Sequence, residues 1–302
     1  MKVNEAADLS VGPSAVAPGF TVKRDYNLNK NFPIHISRWM PSIFMEPFHW
    51  HTSFEVGYCM EGKGLFHFED KRYEINTGDV FVVSHMEQHR AQSDPLKPCQ
   101  FHFLKFDGSL IDGGENELLA PFFMKSPYFA NKIDGQLQAA VQIGALLRGI
   151  WNEMQEQDRA YTSMVQGLLI QVCTHLFRHY ANEIPAEEWN RSLQAYKKLQ
   201  PALGLIHHQY HENIQLKDLA ASLSLSTSRA YHLFKETMGE GFKEYLTKIR
   251  IHESKKKLSD PNVSITEVYL SCGFQGHASF YRSFKQIVGM TPKEFRKYML
   301  TL

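Results

Sequence analysis

Apolar and polar positions alternate in short runs over about residues 34–106 and then recur at helical spacing along the rest of the chain. The early runs, FEVGYCM, GLFHFED, KRYEI, DVFVV and CQFHFLKF, are rich in aromatic and β-branched residues and are punctuated by Gly, Asp and Pro. They predict an antiparallel β-barrel or sandwich. Over about 134–180 the period lengthens. Leu137, Val141, Ala145, Leu146 and Ile150 share one expected helix face, and Val165, Leu168, Leu169, Val172, Leu176 and Phe177 share another. Two long helices covering the β-region are therefore expected.

The polar stretch ANEIPAEEWNRS around Pro185 has no sustained period, so a linker is expected over 183–192. It would separate a first domain, 1–182, from an all-helical second domain, 193–302. The second domain repeats itself. Leu216, Leu219, Ala220 and Leu225 return 49 residues later as Ile265, Val268, Tyr269 and Phe274. From Tyr231 the offset is 50, matching Phe234-Lys235 to Phe284-Lys285 and Gly239 to Gly289. The extra residue belongs in a turn, where insertion costs least.

Composition narrows the class. With 302 residues, 43% of them hydrophobic and 22% charged, the chain can build two cores, which argues against disorder or a fibrous repeat. No stretch approaches the apolar length of a membrane span, and Cys59, Cys99, Cys173 and Cys272 lie too far apart for a disulfide framework or a Cys-rich zinc site. A cytoplasmic protein with no membrane partner is expected. Charge is unevenly placed: Met1 to Trp189 holds 16 Lys+Arg against 23 Asp+Glu, whereas 190–302 holds 17 against 9. An acidic piece is joined to a basic one, and a basic piece fits a polyanionic partner or a solvated face.

Each copy of the repeat reads as two helices around a tight turn, over about 216–237 and 265–288. In the second copy Ser264 and Glu267 form a capping box, Gly273 suits a left-handed turn, and Thr291-Pro292-Lys293-Glu294 starts another capped helix. Phe280, Phe284 and Ile287 must face inward, leaving His277, Ala278, Tyr281, Arg282 and Lys285 outside. In the first copy Ala230, Leu233, Phe234 and Thr237 turn inward and Ser228, Arg229, Tyr231, His232 and Lys235 remain outside. A short capped helix carrying polar and basic groups after a tight turn suits the major groove.

The runs IQLKDLAASLSLSTSRAYHLFKETMGEGFKEYLTKIR and ITEVYLSCGFQGHASFYRSFKQIVGMTPKEFRKYML resemble the AraC/XylS family of transcription regulators, over about 199–302. The resemblance implies two helix-turn-helix units joined by one long helix at about 242–258, with the two outward sets above reading DNA. Ser228, Tyr231 and His232 face bases in the first unit and His277, Ala278, Tyr281 and Arg282 in the second. Lys235, Lys285, Lys243 and Lys293 are placed to neutralise phosphate, and Arg282 has the fork for guanine. It also implies promoter DNA and RNA polymerase as partners, a homodimer, and an activator of transcription. Tyr269 departs from the pattern, since the family has a small residue there, as Ala220 is in the first copy.

In the acidic piece, His49, His51, Glu55 and Gly62 fit the first cupin motif, H-x-H-x3-E-x6-G, and a second half-motif runs from Gly78-Asp79 to His89. On an extended strand His49, His51 and Glu55 share parity, so with His89 they are expected to face the lumen of a cupin-like barrel. Two occupants fit. Three imidazoles and a carboxylate are a ligand set for a divalent metal, which would make the domain a metallocupin enzyme or metal-dependent sensor. The second motif is altered, with Ser84, Met86 and Ser93 where cupins keep Pro, Gly and Asn, and a sugar-sized ligand held by His49, His51, Glu55, His89, Arg38, Trp39 and His102 is favoured, with no cofactor. Trp39 and Trp50 fit either a stacking role or the core. The expectation is an α+β, two-domain, non-enzymatic regulator that senses a sugar or related metabolite and controls carbohydrate-utilisation genes.

Overall fold

A computed structural model describes residues 28–29, 31–46, 48–69, 71–111 and 116–300. The first 27 residues of the expected first domain lie outside the described ones. Strands β1 (Ile34–Trp39), β2 (Phe54–Glu61), β3 (Gly64–Phe68), β4 (Lys71–Ile75), β5 (Val80–Val83), β6 (His89–Ser93), β7 (Gln100–Phe106) and β8 (Lys132–Ile133) form two antiparallel sheets. The larger has the order β1-β7-β2-β5-β8 and the smaller β4-β3-β6. The expected barrel is thus two facing sheets in a cupin-like arrangement; the ladders do not close into one cylinder. A single bridge, His49 to His89, links the loop before β2 to β6.

Period-2 alternation divides the side chains between two cores. Cys59, Phe66, Phe68, Ile75, Phe81, Val83, Ala91, Cys99, Phe101 and Phe103 fill the space between the sheets. Ile34, Ile36, Val56, Val80, Val82, Leu104 and Phe106 point from the opposite face of the larger sheet into a second core. Helices α1 (Gln138–Glu156) and α2 (Tyr161–Glu183) cover that face. On α2 the buried positions Val165, Leu169, Val172 and Leu176 are the expected ones. On α1 the expected face is rotated: Ala140, Ile143, Gly144, Leu147 and Ile150 are buried, while Leu137 and Val141 are exposed. Gly144 explains the rotation, because a Cβ there would meet the Tyr58 ring at 2.4 Å, and so the helix seats where glycine admits the ring.

The expected linker is largely helix. After a break at Ile184-Pro185, α3 (Ala186–Gln209) begins at once, and Trp189, Leu193 and Tyr196 are buried. The polar residues that concealed its period lie on its solvent side, and Trp189 packs edge-on against Phe177 of α2, with centroids 5.0 Å apart. Beyond it follow α4 (Leu216–Ser222), α5 (Thr227–Met238), α6 (Phe242–Leu258), α7 (Ile265–Ser271), α8 (His277–Val288) and α9 (Pro292–Met299). The turn between α4 and α5 spans 223–226 and that between α7 and α8 spans 272–276, which locates the inserted residue. Gly273 is left-handed, at φ +84°, and a Cβ there would sit 2.8 Å from the His211 carbonyl oxygen.

Candidate effector pocket and DNA-reading surface

At one end of the space between the sheets the phenylalanines give way to a pocket of about 330 Å³, part of it open to solvent, lined by Ser37, Trp39, His49, Glu55, Phe66, His89, Ala91, Phe103 and Lys105. The shared parity expected for His49, His51 and Glu55 does not come from one strand. The chain bends at Thr52-Ser53 and β2 starts only at Phe54. His51 is folded back by its Nδ1–H, which donates to the Ser53 carbonyl at 2.9 Å, and its Nε2 then lies 2.7 Å from Glu55 Oε2. Paired backbone hydrogen bonds of 3.0 and 2.9 Å hold His49 against His89. His89 Nδ1–H donates to the Glu87 carbonyl at 2.9 Å, so its bare Nε2 points toward Glu55 Oε1 at 3.6 Å.

Lys105 is the residue the sequence reading missed. Its Nζ sits 3.0 Å from Glu55 Oε2, and both side chains are buried. Burial alone would raise the Glu55 carboxyl, but the Lys105 ammonium and then His51 outweigh it and hold the group well below the usual carboxylate range. Burial drives His89 down to about 3, so at neutral pH its ring is uncharged. Lys105 was legible in principle, since it shares parity with Phe101 and Phe103 on β7.

Two expected pocket residues lie elsewhere. Arg38 and His102 are cross-strand partners, but both point to the outer face of the larger sheet. There His102 stacks on Trp151 at 5.2 Å and Arg38 lies 4.9 Å from the same ring. Alternation is the reason: Trp39 and Phe103, one residue further along each strand, are the ones that reach the pocket, packed edge to face at 5.2 Å. Most of the space between the sheets is filled by phenylalanines, and the polar side chains gather at this end.

In the second domain the two outward sets stand where they were expected. On α5, Ser228, Arg229, Tyr231, His232 and Lys235 are exposed while Ala230 and Phe234 are buried. On α8, His277, Ala278, Arg282 and Lys285 are exposed and Tyr281 is half-buried, stacked on His277 at 3.9 Å, while Phe280 and Phe284 are buried. Val288 takes the fully inward place expected of Ile287. Lys243 and Lys293 are exposed at the starts of α6 and α9. Tyr269 is accommodated, because it packs on Phe280 at 5.7 Å instead of entering the α7–α8 crossing as a small residue would.

Comparison with known proteins agrees with this division. The AraC-like ligand binding domain family matches residues 36–173, and a helix-turn-helix domain family matches 219–298. The chain belongs to the AraC family. Like its AraC-family relatives it is a ligand-binding, DNA-binding transcription regulator and not an enzyme. The Msm operon regulatory protein of Streptococcus mutans is 26% identical over 250 residues, spanning 81% of this chain and 84% of that protein. An uncharacterized HTH-type transcriptional regulator of Staphylococcus aureus is 24% identical over 243 residues, 80% of this chain but 31% of that protein. ToxT from Vibrio cholerae has the same fold, with a TM-score of 0.57 at 14% identity over 90% of this chain and 99% of ToxT. No described helix of this AraC-family chain is long and apolar enough to cross a membrane.

Proposed function

We propose that this regulator senses a neutral, sugar-sized metabolite in the pocket beside Glu55 and controls carbohydrate-utilisation genes, acting in the cytoplasm as a homodimer that binds promoter DNA, contacts RNA polymerase and activates transcription. The observation that carries the choice of ligand is charge balance. Glu55 is already engaged by Lys105 and by His51, and His89 is uncharged, so the buried charges of the pocket are held by one another and do not need a charged ligand. Hydroxyl groups do find partners, in the His89 Nε2 lone pair and the Ser37 hydroxyl, and Trp39 and Phe103 offer ring faces to an apolar sugar surface.

The same pair argues against a resident metal. His51, Glu55 and His89 bring donor atoms within 4.8 Å of one another, yet a divalent ion would have to share Glu55 with an ammonium 3.0 Å from it. That competition supports a pocket without a metal. The reading of a homodimer rests on the exposed Leu137, just before α1, and Val141 on it.

A thermal-shift panel tests the ligand class. A monosaccharide or polyol present at about 100 times its Kd raises stability by about 2.7 kcal/mol. Stabilisation by a neutral sugar, abolished in Lys105→Met, is the expected result. A structural neighbour is ToxT with an unsaturated fatty acid bound, so the panel includes oleate. Stabilisation by oleate alone, or by a divalent metal alone, overturns the proposal.

A further inference from the structure

The segment that carries His49, which lines the pocket, and His51, which contacts the pocket's Glu55, has two faces. His49 and His51 turn toward Glu55 and His89, while Trp50 and Thr52, at the alternate positions, turn toward α6, the helix that joins the two DNA-reading units. Trp50 lies under the Lys248 ammonium, 5.9 Å from its ring centre, and Thr52 Oγ1 is 3.0 Å from His252 Nε2. A third contact extends the same stripe: Tyr245 OH is 3.1 Å from Nε2 of the buried His85. Tyr245, Lys248 and His252 are spaced i, i+3, i+7, so one face of α6 rests along the pocket end of the first domain.

From this we propose that Trp50 and Thr52 are the residues that transmit pocket occupancy to the DNA-reading domain, by setting the position of α6. The inference rests on the reading of the pocket as an effector site. His49 is pinned to β6 by two backbone hydrogen bonds, so a ligand that draws His49 or His51 inward cannot move them without moving Trp50 and Thr52. Those two grip the middle of a 17-residue helix whose ends carry the first and second reading units. A small displacement at the loop therefore becomes a change in the angle between α5 and α8. Glu240 steadies the contact from the second domain, with its carboxylate 2.7 Å from Lys248 Nζ.

The test is a cycle between the pocket and α6 in the full chain, using a duplex selected by the wild-type protein from random sequence. His51→Ala perturbs the pocket without requiring a known ligand, and Lys248→Ala/His252→Ala removes both grips from the α6 side while leaving the Trp50 core packing in place. His51→Ala is expected to change hydrogen exchange over 245–252 and to change affinity for the duplex, within the factor of about 5 to 150 usual for coupled sites. In the Lys248→Ala/His252→Ala background both responses should vanish. Equal responses in the two backgrounds, or no response in either, overturn the proposal. Failure of the sugar panel leaves this cycle readable, and a sugar that stabilises both backgrounds and shifts their affinity alike sinks the coupling while sparing the effector site.

Discussion

The two helix-turn-helix units come from one repeated sequence, yet they are attached to the rest of the molecule by different physics. The first shares its core with the sensor domain: Leu219, Phe234, Phe242, Tyr245 and Leu246 belong to the same buried cluster as Leu199 and Ile206 of α3 and Val172 and Leu176 of α2. The second has a core of its own, built from Ile251, Leu258, Val268, Phe274, Phe280, Phe284 and Phe295. What ties it back is α6, which puts Ile249 in the first cluster and Ile251 in the second, with Ile287 touching both, and polar contacts such as Arg250, which donates to the Tyr210 and Glu212 carbonyls at 2.7 Å. Hydrophobic burial grows with the apolar area removed from water, so the shared cluster adds an area-wide hold on the first unit that the second unit's separate cluster does not add. The two similar readers thus differ in their surroundings: one shares the core of the sensor, and the other is an arm with a core of its own.

Matched core truncations break this comparison most sharply. Phe234→Ala and Phe284→Ala each delete a fully buried ring and are expected to cost about 3 to 5 kcal/mol. Regional hydrogen exchange should separate them. Phe234→Ala should loosen α3 and the helices over the sheet, while Phe284→Ala should expose α7–α9 and leave the sensor protected. Loss of protection in the sensor in both variants would show that the arm is not independent.

Acid is the next lever. His89 titrates near 3 in the fold against 6.5 when unfolded, and burial also lowers His85 and His207, which sit on the sensor side and on α3. Between those values the unfolded chain binds more protons, so stability falls as pH drops below about 6.5. Glu55 adds a loss below its ordinary value of 4.5, while Glu87, raised by burial, works in the opposite direction. The second unit's cluster holds no buried histidine among the described residues. Far-ultraviolet and near-ultraviolet circular dichroism between pH 7 and pH 4 should therefore show the sensor and first unit loosening before the arm. An arm that melts first would contradict the assignment of these histidines.

The arm was the part most legible in the sequence. Its helices depend on local signals, caps such as Ser264 and Thr291, Gly273 at a left-handed turn, and aromatics at helical spacing, and these specify α7, α8 and the start of α9 nearly to the residue, while the bounds of α6 follow from the family resemblance. The sensor pocket was legible only in part. His49, His51, Glu55 and His89 converge, but by way of a bend at Thr52-Ser53 that parity along one strand does not predict. Arg38 and His102 face away from the pocket because strand alternation, and not side-chain chemistry, sets the face each residue takes. Lys105 was overlooked because a lysine in a strand ordinarily faces water. The linker was invisible as a helix because Trp189, Leu193 and Tyr196 find their partners on α2 and on residues near Phe123, which no local window contains.

Smaller effects sharpen the comparison on the DNA side. Arg282 is exposed on α8 with a guanidinium fork, whereas Lys285 stands one turn along as a point charge. Arg282→Ala should lose about 1 to 3 kcal/mol on selected DNA and relax preference at one base pair. Lys285→Ala should weaken selected and random duplexes alike and reduce the salt slope by about 0.9. Competition binding at two salt concentrations distinguishes them, and equal losses on both DNAs for both variants would remove the base-reading role from Arg282.

The smallest expected difference concerns how each unit starts its supporting helix. In the arm, Ser264 Oγ accepts from the Glu267 amide at 3.1 Å while the Glu267 carboxylate accepts from the Ser264 amide at 2.8 Å, a reciprocal cap. In the first unit Gln215 occupies the cap position, and the Asp218 carboxylate accepts from its amide at 2.8 Å. A serine cap replaced by alanine costs about 1 kcal/mol; glutamine is a poorer cap and should cost less. Because the arm stands on its own core, Ser264→Ala should appear as a shift confined to the exchange of α7 and α8. Gln215→Ala, buttressed by the shared core through Leu219, should leave α4 and α5 nearly unchanged. A larger loss at Gln215 than at Ser264 would mean that local capping, and not the shared core, holds the first unit in place.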